Sequence, residues 1–116
     1  MTKKLLIVAG AGEVAFGLLL LVSPALAAWW LLGIHVSGNP AVGGRVVGAC
    51  LVTLGIGCWP RSDSHRRATV MMTYSALAAC SLVVVGLRWS AGFLLWPATA
   101  VHAAIAMWLW LNRHDK

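Results

Sequence analysis

Four polar side chains in this 116-residue sequence sit where apolar residues would be expected: Glu13, Tyr74, Ser75 and His102. Glu13 is the carboxylate of LLIVAGAGEVAFGLLLL, Leu5 to Leu21. Tyr74 and Ser75 interrupt a second apolar run, and His102 is the one histidine inside such a run. A carboxylate, a phenol, a hydroxyl and an imidazole at one depth can relay a proton, hold a cation or clasp helices together. A charge at the centre of a bilayer costs on the order of 2.5–3.5 kcal/mol even on lenient scales, so Glu13 is expected to be protonated, paired or facing a wet cavity. Gly10, Glu13 and Gly17 recur every three to four residues, which turns Glu13 along a small-residue seam and away from lipid.

Other chemistry is thin. His102 has no carboxylate cluster around it, so a metal or haem site is incomplete and no cofactor is expected. Cys50, Cys58 and Cys80 are odd in number, without paired spacing, and read as small buried hydrophobes. No catalytic set is present, and the chain reads as a non-enzyme.

The elements that must position these residues are apolar. The chain is 60% hydrophobic and 10% charged, whereas soluble domains carry about a quarter charged residues. Its apolar runs each approach the ~20 residues a helix needs to cross hydrocarbon. The expected fold is all-α: one transmembrane domain over 1–116, a compact bundle with spans at about 5–23, 41–59, 68–87 and 91–111. The N-terminal segment imitates a signal peptide, but Glu13 is out of place in a signal core, and the segment reads as a retained first span. A helix over 5–34 would be about 45 Å long, well beyond a ~30 Å core. Pro24 supplies a break, leaving an interfacial helix at 25–34 with Trp29 and Trp30 at headgroup level. HVSGNP at 35–40 is a turn that leaves His35 interfacial, PRSDSHRR at 60–67 is the hydrophilic loop, and Arg88-Trp89-Ser90 is a minimal turn. The tryptophans fall mostly at span ends, with Trp96 the exception whose phase brings it near Thr99 and a cavity.

The formal charge of +6 resides at helix ends, which fits membrane lipid as a partner and argues against nucleic acid. With both termini cytoplasmic, Lys3, Lys4, Arg61, Arg66, Arg67, Arg113 and Lys116 lie inside and only Arg45 and Arg88 outside. This bias predicts a multi-pass protein with both termini cytoplasmic, and a bacterial inner membrane is the expected location. On that topology Glu13 lies about 12 Å in from the cytoplasmic edge, His102 about 14 Å, and Tyr74 and Ser75 about 9–11 Å. Glu13, Tyr74, Ser75 and His102 therefore form one expected polar layer. Arg45, about 6 Å inside the other edge, is expected to snorkel outward, the alternative being an inward pair with Glu13. Gly10, Gly17, Gly44, Gly48, Gly55, Ala79 and Gly86 are the expected helix-packing positions, with the bulkier Leu82 between the last two.

Glu13, Gly17 and LLLLVSP followed by GGRVVGACLVTLGIGCW make the first 60 or so residues resemble a group of small bacterial four-helix inner-membrane proteins. That resemblance implies the four-span fold and no activity. In length, helix number and a single carboxylate in the first helix, the chain is also similar to the small multidrug resistance transporters, among which Glu13 would match the coupling carboxylate. The sequence after Glu13, the Pro-Arg-rich second loop and Arg45 depart from their pattern. The functional expectation is a structural or accessory subunit of a homo-oligomer or larger membrane complex. The alternatives are a proton-coupled transporter using Glu13 and a cofactor-binding redox subunit using His102.

Overall fold

A computed structural model describes residues 2–61 and 63–114; Lys116, counted above among the basic residues, lies outside them. The described residues form five α-helices and no strand: α1 Thr2–Val22, α2 Pro24–Leu32, α3 Asn39–Gly57, α4 Ser64–Arg88 and α5 Leu95–Leu111. Helices α1, α3 and α4 are long and apolar enough to cross a membrane; α5, with 17 residues, is shorter, about 26 Å.

Local chemistry explains where these helices start and stop. Ser23 leaves helical geometry at φ −141°, and Pro24 then opens α2, where its missing N–H costs no helix bond. Gly33 closes α2 at φ 67°, a left-handed conformation that favours glycine. α4 begins a turn earlier than the expected 68, because the Asp63 carboxylate accepts the Arg66 N–H at 3.4 Å. Ser64 to Arg67, read from the sequence as loop, are therefore helical.

The fourth span departs further. The sequence places its start at 91, but residues 90–94 fold back onto the end of α2. A helix leaves its last four carbonyls without intrahelical partners, and in α2 all four are satisfied. Trp29 accepts from the Gly33 N–H at 2.9 Å, Trp30 from Leu94 N–H at 2.9 Å and Leu31 from Gly92 N–H at 3.0 Å. Leu32 accepts from the Ser90 hydroxyl at 2.7 Å. Backbone spent in this way is not available to extend α5.

α1 and α3 pack antiparallel at backbone contact. A Cβ added at Gly10 would lie 2.9 Å from the Gly55 carbonyl oxygen, and one at Gly17 would lie 2.7 Å from that of Gly48. The same seven-residue step on each helix keeps both pairs in register. Gly44, the third glycine of the α3 series, meets Pro24 at the start of α2. α4 and α5 form a second hairpin in which Leu95 and Trp96 cover Gly86; Ala79 is half-buried. The two hairpins meet in a cluster of Leu6, Ala9, Cys58, Met71 and Leu109. Because Leu6 and Leu109 share it, α1 begins and α5 ends at the same end of the molecule. The whole measures 46 × 26 × 17 Å, a flattened slab.

Candidate functional site

Three helices converge on Glu13. On α1, Leu6, Ala9 and Glu13 are spaced three and four residues apart and all are buried, so they form one stripe beside the glycines committed to α3. α4 supplies Tyr74, between the buried Met71 and Ser75. α5 supplies His102, on the stripe defined by buried Leu95, Thr99 and Leu109.

The Tyr74 hydroxyl donates to Glu13 Oε2 at 2.9 Å, and His102 Nε2 lies 3.8 Å from Oε1. The Tyr74 and His102 rings meet edge to face, their centroids 5.6 Å apart at 84°. Each carboxylate oxygen therefore faces a different helix. The phenol contact is a true hydrogen bond, whereas 3.8 Å is beyond one; the imidazole contact is ionic when His102 carries a second proton. Glu13 is only 7% exposed. A carboxylate offers about four lone-pair sites, and one is filled at hydrogen-bonding distance. His102 Nδ1 is buried without a partner. The arrangement ties α1 to the α4–α5 hairpin and sets a carboxylate and an imidazole 3.8 Å apart.

Ser75 is fully buried beside Tyr74, but its hydroxyl has no partner and no hydrogen bond joins it to Glu13. Thr99, noted in the sequence only as a neighbour of Trp96, is 9% exposed on the same stripe as His102, and its hydroxyl returns to the Leu95 carbonyl at 2.8 Å. A hydroxyl three residues before a histidine in an apolar run was the available signal.

Several surface assignments change. Cys58 is buried, but Cys50 and Cys80 are exposed. The inward side of α3 is taken by Gly48, Leu51 and Gly55, and that of α4 by Met71 and Ser75, which leaves both cysteines outside. Trp96 is 46% exposed and lies over Gly86. Arg45 is exposed and makes no ion pair with Glu13. His35 is exposed and stacks on Trp29 at 4.6 Å. Among the described residues no three His, Cys, Asp or Glu side chains group to hold a metal.

No family model matches the chain, and no curated protein or solved structure matches it.

Proposed function

We propose that the chain is a non-catalytic integral membrane protein that serves as an accessory subunit, docking through the outward face of α3 against a second copy or a larger membrane complex. Four helices, α1, α3, α4 and α5, cross a bacterial inner membrane with both termini cytoplasmic. The 46 Å length is close to the ~40–45 Å of a bilayer with its headgroups. The broad exposure of Val8, Val22, Val42, Val46, Leu77, Val84 and Met107 suits lipid and not water. α5 is short for this task, but the segment before it packs on the end of α2 with the Gly92 and Leu94 N–H groups bonded to it, and irregular backbone at depth is tolerated where it is buried in protein.

One observation carries the docking role. Gly43, Cys50 and Gly57 repeat on α3 the seven-residue step by which Gly48 and Gly55 meet α1, and nothing lies within 4 Å of a Cβ added at Gly43 or Gly57. Cys50 is two residues from Gly48, about 200° around the helix, so this second series faces away from α1. Small residues in such a row let a further helix approach closely. The Glu13–Tyr74–His102 cluster then serves as the internal clasp that keeps the two hairpins in register while the outside of α3 is engaged. Purification in mild detergent with mass measurement tests this. The expected species is a multiple of the 12.3 kDa chain or a complex with a co-purifying subunit; a strictly monomeric species with no companion contradicts it.

A second reading follows from the 3.8 Å approach of His102 to Glu13. A carboxylate and an imidazole at this separation can exchange a proton through one bridging water, as export of a small cation or lipophile coupled to protons requires. Glu13→Gln in proteoliposomes should then abolish substrate-driven proton movement, and unchanged flux removes this reading.

A further inference from the structure

The end of the bundle marked by Leu6, Cys58, Met71 and Leu109 also carries Lys3, Lys4, Arg61, Arg66, Arg67 and Arg113, against one described carboxylate, Asp63. There the end of α3 and the start of α4 bracket a cleft of about 300 Å³. One wall is apolar, from Leu54 and Val70; the rim is polar, from Asp63, Arg66 and Arg67, with Cys58 at the back. Arg67 is held in place by donating through Nη1 to the Gly57 carbonyl, while its Nε is buried with no partner. Arg66 makes no ion pair among the described residues. Asp63 is engaged at the Arg66 backbone N–H and leaves the rim with one net positive charge.

The geometry points to a binding site for an anionic phospholipid, its phosphodiester on Arg66 and Arg67 and an acyl chain along Leu54 and Val70. The planar guanidinium fork matches phosphate oxygens. Inorganic phosphate shares the headgroup chemistry but has nothing to lay on the apolar wall, whereas an amphiphile uses both. The site rests on the membrane placement proposed above and shares Gly57, whose carbonyl Arg67 holds, with the α3 docking face.

Native mass spectrometry of the full chain in mild detergent tests it, with phosphatidylglycerol, phosphatidylcholine of the same acyl chains, or inorganic phosphate added. The wild type should retain one phosphatidylglycerol about tenfold better than either other probe. Arg66→Gln and Arg67→Gln should each cut that preference by about fivefold, and Arg67→Lys by less, since it keeps the charge and loses the fork. Because Arg67 also caps α3, helical circular dichroism accompanies these variants. Val70→Trp keeps both arginines; Val70 is 46% exposed, so the ring can be accommodated while it fills the cleft, and lipid retention should again fall. Arg61→Gln and Arg113→Gln, at the same end but outside the cleft, should leave retention unchanged. Equal retention of the two lipids, equal losses across all four arginine-to-glutamine variants, or phosphate binding as well as phosphatidylglycerol would each overturn the site. An unchanged oligomeric mass in Arg66→Gln separates this result from failure of the docking role.

Discussion

The α1–α3 contact makes a sharp demand on Gly48. A Cβ placed there would lie 2.6 Å from the Gly17 carbonyl oxygen, 2.8 Å from Leu20 Cβ and 3.0 Å from the Leu21 nitrogen. Two of those three neighbours are backbone atoms of a helix, which cannot rotate aside as a side-chain tip can. To bring the closest contact from 2.6 Å out to the 3.4 Å where ordinary contact begins, the two helices have to part by about 0.8 Å at that point. That retreat loosens Gly17, Gly10 and Gly55 along the same seam, and overpacking of this kind costs about 1–3 kcal/mol. Gly48→Ala should therefore destabilise the fold by that amount. Gly12→Ala supplies the comparison, because nothing lies within 4 Å of its added Cβ; there the helix propensity of alanine should stabilise by up to about 1 kcal/mol. Reversible unfolding in mixed detergent, followed by helical circular dichroism, reads both. If Gly48→Ala is as stable as Gly12→Ala, backbone contact at this seam does not hold α1 to α3.

Tyr74→Phe removes the donor to Glu13 Oε2 and leaves that oxygen buried, at an expected cost of about 1–3 kcal/mol in the same unfolding measurement. Combined with His102→Leu it should show a coupling of at least about 0.5 kcal/mol, since both side chains act on one carboxylate; strict additivity would contradict the cluster. Ser90→Ala orphans the Leu32 carbonyl, so hydrogen exchange should speed up at the Gly92 and Leu94 amides and stay slow within α4. Asp63→Ala should fray Ser64 to Arg67 and cost about 0.5–2 kcal/mol, read by exchange at the Arg66 and Arg67 amides.

How far the sequence reached depends on whether the relevant contact repeats along a helix. Within each helix the small-residue face was legible, because Gly10 and Gly17, like Gly48 and Gly55, recur at a step that fixes their side; that the two faces meet each other was not, since a spacing within one helix names no partner. Tyr74 and His102 were placed level with Glu13 by counting residues from the ends of their runs, a count that errors of a turn at α4 and α5 did not spoil. Ser75 shares that depth, but depth does not fix azimuth, and its hydroxyl is not bonded to Glu13. The clamp of Ser90, Gly92 and Leu94 on the end of α2 was not legible, because its partners lie some 60 residues away and the local sequence reads as a plain turn. Cys50 and Cys80 were read as buried because an apolar run does not reveal which of its sides meets the rest of the protein.

The central claim is that α3 docks through the face opposite α1, and Cys50, at the middle of that face, reports on it directly. Oxidative cross-linking in native membranes should trap the chain through Cys50, as a dimer or as an adduct with a partner subunit. Cys50→Ser should abolish the product, Cys58→Ser should leave it intact, and Gly43→Leu or Gly57→Leu should reduce it by holding the helices apart. A chain that stays monomeric under conditions that cross-link other membrane subunits, or whose product depends on Cys80 and not on Cys50, would contradict the claim.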